Sequence, residues 1–145
     1  MTTFLEIVAL ASTALFAGAA VYVTFVEHPA RVSCGTAIAV GQFRPSYRRG
    51  AVMQGGLAFV GLAASVAAWA ENGDRRVLFA GFLLGSLIPY TLLVILPTNK
   101  KLLDPSLDAR SPEAAALLAR WGRLHSIRTI VGLLAFGLLI FALFG

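Results

Sequence analysis

Three stretches of this chain, Phe4–Val26, Ala51–Ala70 and Val77–Pro97, each run for at least twenty residues with almost no charge. A fourth, Ile130–Phe144, is shorter and reaches that length only if its helix begins upstream. An α-helix rises about 1.5 Å per residue, so about twenty apolar residues cross the hydrocarbon core of a bilayer. The chain therefore reads as all-α, an integral membrane four-helix bundle. One domain covers residues 1–145, with spans near 4–26, 51–70, 77–97 and 124–144. Every polar residue close to a span carries an energetic cost that needs a reason.

Composition agrees. Apolar residues make up 58% of the 145 and charged residues only 13%, with a mean hydropathy of +0.80, too little polar surface for a soluble protein. The net charge of +5 would suggest nucleic acid in a soluble chain. Here it reads as loop bias relative to the membrane, and no nucleic-acid partner is expected. The lone cysteine, Cys34, has no partner for an internal disulfide and reads as a small buried residue. Met1–Glu6 lacks Lys and Arg, and the first basic residue, Arg31, follows the apolar run, so the first span reads as a retained anchor rather than a cleaved leader. Ten basic residues fall in the first and third loops against Arg75 and Arg76 in the second. That asymmetry places the two basic loops in the cytoplasm and both termini on the other side of an inner or plasma membrane.

Small residues point to close helix packing. Ala14 and Gly18 lie four apart, and Gly81 and Gly85 form a GxxxG pattern, spacings that let helix backbones approach in lipid. They read as packing of the bundle or of a homo-oligomer. The first loop, Glu27–Gly50, includes Ala37–Val40 and Phe43 and is expected to lie against the bundle, with Ser46 capping the second span. In the third loop, Ser111-Pro112-Glu113 is a helix-start pattern in which Ser caps, Pro takes the first helical position and Glu favours the positive end. A helix starting there runs into the fourth span.

Polar residues gather at the end of the bundle bearing the basic loops. His28 follows the first span, with Glu27 beside it; Tyr47, Arg48 and Gln54 come from the start of the second. The third carries Pro89-Tyr90-Thr91 and ends in Pro97-Thr98-Asn99. Trp121, His125 and Arg128, spaced by four and three, share one face before the fourth. Interfacial aromatic and basic residues are ordinary anchors, but carboxylates and amides are poor ones, so the set as a whole points to a site. His28, Asn99, Trp121, His125 and Arg128 are expected to line one cavity. His28, His125 and Glu27 would make a two-histidine, one-carboxylate set suited to iron, copper or zinc, although Glu27 and His28 diverge by about 100° on a regular helix. The cofactor choices left open are none, or a copper or iron ion. His125 is expected at the interface, where its loss would cost the fold little.

Four segments together resemble the DUF1772 family, which includes the fungal anthrone oxygenases. They are Phe25–Arg31, Arg44–Gly50, Leu96–Lys100 and Trp121–Thr129, distributed over almost the whole chain. The resemblance implies oxygenation of an activated aromatic ketone, through removal of an acidic methylene proton and reaction of the enolate with oxygen. On that view His125 or His28 is the base, and Arg128 and Asn99 stabilise the enolate oxygen. Trp121, Tyr90 and Tyr47 would hold the flat substrate, a small apolar molecule reached from the lipid bilayer. A small four-helix transporter or a non-catalytic membrane partner subunit stand as alternatives, although mid-membrane carboxylates are absent from the sequence.

Overall fold

The computed structural model describes residues 3–145. It contains four helices long and apolar enough to cross a membrane: α1 (Phe4–Ser33), α2 (Thr36–Asn72), α3 (Arg75–Leu103) and α4 (Pro112–Phe144). They run up and down in sequence order, each packed on its chain neighbours and α4 closing back onto α1, while the diagonal pairs barely touch. The chain is an all-α integral membrane protein.

The helix ends have local causes. Thr3 caps α1 reciprocally with Glu6, whose carboxylate accepts the Thr3 amide at 2.6 Å and the Asn72 side chain at 2.8 Å. Gly35 (φ 94°) and Gly73 (φ 75°) make the two tight reversals in a backbone region open mainly to glycine. Asp74 caps α3 through the Arg76 amide. Ser111 accepts the Ala114 amide at 3.1 Å, with Pro112 in the first turn, so the expected start of α4 is realised and the helix runs unbroken into the fourth apolar stretch.

The first basic loop departs from expectation. Residues 28–33 complete α1, Cys34 and Gly35 form the turn, and residues 36–50 are the first turns of α2. The reason is periodic burial: Ala39, Val40 and Phe43 turn one face onto Leu102, Leu117, Leu118 and Trp121. Ser46 is consequently mid-helix, its hydroxyl donating to the Phe43 carbonyl at 3.3 Å rather than capping. Cys34 is exposed at the turn, not buried. At about 1.5 Å per residue the 37 residues of α2 extend some 55 Å, well beyond a hydrocarbon core of about 30 Å, so its basic first turns project from it.

Large apolar side chains, among them Phe4, Leu15, Phe59, Phe82, Leu93 and Phe144, face outward, while the centre is rich in alanine. Such inversion fits lipid surroundings, where close contact rather than hydrophobic burial holds helices together. Near the termini Ala9, Ala64, Ala68, Ala80 and Ala142 meet Val77 and Leu139. The α2–α3 seam is tighter still: a Cβ on Gly81 would collide with Ser65, and one on Gly85 with Leu62. The GxxxG face is thus used inside the bundle. Gly18 is exposed, and a Cβ added there would meet nothing within 4 Å.

Two π-helical turns interrupt this regularity, at Val23–Glu27 in α1 and Thr91–Ile95 in α3. Each ends two residues before a proline, Pro29 or Pro97. A proline ring inside an α-helix collides with the carbonyl four residues back. Widening the turn relieves that collision: the amides of His28 and Leu96 bond five residues back, to Val23 and Thr91. Both distortions lie in the half of the bundle that carries the polar residues.

Candidate functional site

In the half of the bundle nearest the basic turns, the four helices line a partly open cavity of about 550 Å³, the size of a typical small-molecule pocket. Its apolar wall includes Phe16, Phe43, Ile88, Leu92 and Ile95. Its polar wall includes Glu27, Arg31, Tyr47, Gln54, Thr91, Asn99, Trp121, His125 and Arg128. Asn99, Trp121, His125 and Arg128 therefore meet as expected, and Tyr47 joins them. His28 and Tyr90 do not line this cavity. His28 edges a smaller one of about 240 Å³ together with Thr24, Trp121, Gly122 and His125. Tyr90 donates its hydroxyl to the Leu124 carbonyl at 3.1 Å and so ties α3 to α4.

Trp121 is the hub. Its ring packs on His28 at 5.1 Å, stacks on His125 at 4.7 Å and meets Phe43 edge-on at 5.2 Å. The Arg31 guanidinium lies 5.7 Å from its centroid. Arg31 is paired with Glu27 at 2.5 Å, and Gln42 donates to the same carboxylate oxygen at 2.9 Å. This pair is internally neutral.

Arg128 differs. It is 9% exposed, donates to Gln54 Oε1 at 2.6 Å, and lies 5.4 Å from the Phe16 ring. Among the described residues no carboxylate pairs with it, and its Nε has no partner. Asn99 is fully buried, and neither atom of its amide has a partner; the Trp121 indole N–H is also free. Buried polar groups are nearly always satisfied, and an unmade hydrogen bond costs about 1–3 kcal/mol. Several such groups belong to residues around this one cavity.

His125 is 3% exposed, so it is not the semi-exposed side chain whose loss would cost the fold little: the packing of α1 on α4 encloses it. Its Nδ1 is 3.0 Å from the Thr24 hydroxyl, which is 2.7 Å from the Thr129 hydroxyl. Thr24 belongs to the π turn of α1.

A metal set does not assemble from the expected donors. The Glu27 carboxylate oxygen serves Arg31 and Gln42, and both imidazoles pack on Trp121. Among the described residues no three His, Cys, Asp or Glu side chains gather as metal ligands.

Sequence reasoning overlooked Arg31 and gave Gln54 no role. Gln54 had a signal, since it is a lone amide inside an apolar run. Arg31 had a weaker one, four residues after Glu27 on a helix. Thr24 and Thr129 had none, because threonine in a membrane helix commonly bonds its own backbone.

The sequence model described as anthrone oxygenase matches residues 43–138, more than half of the chain, and the chain belongs to that family. No curated protein and no solved structure matches.

Proposed function

We propose that this member of the anthrone oxygenase family is a membrane-embedded oxygenase that acts on a small apolar aromatic ketone in the larger cavity. The observation that carries the reading is Arg128, a buried cation with an amide but no carboxylate partner among the described residues, on the wall of a cavity that Asn99 also lines. Such a wall suits an oxygen atom that gains negative charge during reaction, because preorganised donors in a dry site stabilise charge as it develops.

The steps balance without an external reductant. His125 removes a proton from a methylene activated by the neighbouring carbonyl, and the electron pair moves to the carbonyl oxygen. Arg128 and the Asn99 N–H hold the resulting enolate, while Trp121 and Tyr47 hold its rings. The enolate passes one electron to dioxygen, and the two radicals combine to form a carbon–oxygen bond. His125 returns its proton to the outer oxygen of the peroxide. Loss of the second methylene proton then breaks the oxygen–oxygen bond, leaving a new carbonyl and one water. His28, off the cavity wall, steadies Trp121.

The test is oxygen uptake by detergent-purified protein given anthrone, against heat-inactivated protein to correct for spontaneous oxidation. Uptake with quinone formation is expected, and Arg128→Gln should remove most of it. No protein-dependent uptake, or full activity in Arg128→Gln, would overturn the reading.

The same reading places the basic turns and the cavity mouth at the cytoplasmic side of an inner or plasma membrane, with both termini opposite, on the ten-to-two distribution of basic residues. Cysteines introduced at Asn72 and Asp108 in a Cys34→Ser background should label from opposite sides, Asp108 from the cytoplasm. Labelling of both from one side would reject this orientation.

A further inference from the structure

Thr24, His125 and Thr129 form a chain of three close polar contacts that ends on the backbone. From His125 Nδ1 it runs 3.0 Å to Thr24 Oγ1, then 2.7 Å to Thr129 Oγ1, then 3.1 Å to the carbonyl of Ala20. A carbonyl only accepts, and each hydroxyl has one proton to give. The Ala20 contact therefore takes the Thr129 proton. The contact between the hydroxyls then requires the Thr24 proton, and the imidazole contact must be filled from Nδ1. One arrangement of protons satisfies all three; every other leaves two acceptors facing each other. Nε2 has no hydrogen-bonding partner among the described residues, and it is not among the sealed buried atoms lacking one. His125 lines both cavities.

We propose that Thr24 and Thr129 are positioning residues that fix a neutral His125 as its Nδ1–H tautomer, leaving the Nε2 lone pair free to accept a proton at the cavity wall. Which ring nitrogen carries the proton is set by the bond the other makes. Here that bond comes from a hydroxyl relay anchored on the backbone of α1, in place of a carboxylate. The π turn contributes, since Thr24 lies within it and α4 supplies the other two side chains. The role of Nε2 as a base rests on the proposed function; the tautomer itself does not.

The test reads the ring directly. Full-length protein labelled with ¹⁵N-histidine, in lipid nanodiscs at slightly alkaline pH, contains two imidazoles, and a His28→Gln variant assigns them. The His125 ring should show a protonated Nδ1 and an unprotonated Nε2. Thr129→Val deprives the Thr24 hydroxyl of its acceptor, so that proton turns to Nδ1 and the tautomer should switch to Nε2–H. Thr129→Ser should restore the original form. A wild-type ring found as Nε2–H, or as the doubly protonated cation, overturns the proposal, as does a Thr129→Val ring that stays Nδ1–H. Should Thr129→Val not fold, the wild-type spectrum alone decides. An Nδ1–H ring in a protein that consumes no oxygen would leave the relay standing and remove only the oxygenase reading.

Discussion

The half of the bundle near the termini and the half near the basic turns use the same four helices for opposite ends. Near the termini, alanines and glycines bring α2 and α3 together until Gly81 meets Ser65 and Gly85 meets Leu62. Toward the basic turns Gly50 and Gly55 of α2 line the cavity, and a Cβ on either would meet nothing within 4 Å. At Gly81 and Gly85 the missing side chain permits contact; at Gly50 and Gly55 it leaves space. The difference teaches that small residues in a membrane helix do not announce their role, which depends on whether the neighbouring helix is near. The polar groups follow the same division. Glu6 at the closed end is engaged by Thr3 and Asn72, whereas the side-chain amide of Asn99 at the open end has no partner among the described residues.

Substitutions can break this contrast. The largest effect is expected at His125→Ala, because loss of a general base typically slows turnover by about 10²–10⁴-fold. The variant should also be destabilised by roughly 0.5–3 kcal/mol, since the buried ring stacks on Trp121 and holds the Thr24 hydroxyl. Steady-state kinetics beside thermal unfolding would show both, and unchanged turnover would move the site elsewhere. Next is Arg128→Gln, for which loss of a charge-stabilising donor predicts a fall of about 10²–10³-fold in kcat.

At the closed end the effect belongs to stability. Gly81→Val forces a side chain into Ser65 and should cost about 1–3 kcal/mol, read as a lower unfolding midpoint. Gly55→Ala meets open space and should leave the midpoint unchanged or slightly raised, sharpening the distinction between the two kinds of glycine. If both glycines tolerate substitution equally, the contrast between the halves fails.

The smallest effect concerns the turn between α3 and α4. Amide and hydroxyl bonds from Ser106 hold the Asp104 carboxyl below the usual carboxylate range. A depressed folded value stabilises the turn above the unfolded pKa and ceases to do so as pH falls through the lower, folded one. Amide exchange at Ser106 should therefore quicken at acid pH relative to the trend of its neighbours, and Asp104→Asn should abolish that acid-dependent component.

Much of the fold was legible because hydropathy over twenty residues is a local property. The four spans, the Ser111 cap and the shared face of Trp121, His125 and Arg128 all follow from short-range periodicity. The stretch from Glu27 to Gly50 misled because its charges look like a loop, whereas Ala39, Val40 and Phe43 find their apolar partners only on other helices. Cys34 misled for the converse reason: a residue type that is usually buried fell at a turn.

The amino-acid sequence by itself determined that this is a membrane bundle, that its polar residues concentrate at one end, and which family motifs it carries. Each of those is encoded in residue type and spacing along one segment. Only the tertiary structure decided that Arg31 is neutralised by Glu27 while Arg128 has no carboxylate partner among the described residues, that His28 stands off the main cavity, and that Thr24 reaches His125. Those distinctions depend on distances between segments remote in the chain, and on helix rotations set by two prolines and the π turns they impose. A sequence lists the charges, but the cost and use of each depend on what packing brings within hydrogen-bonding reach.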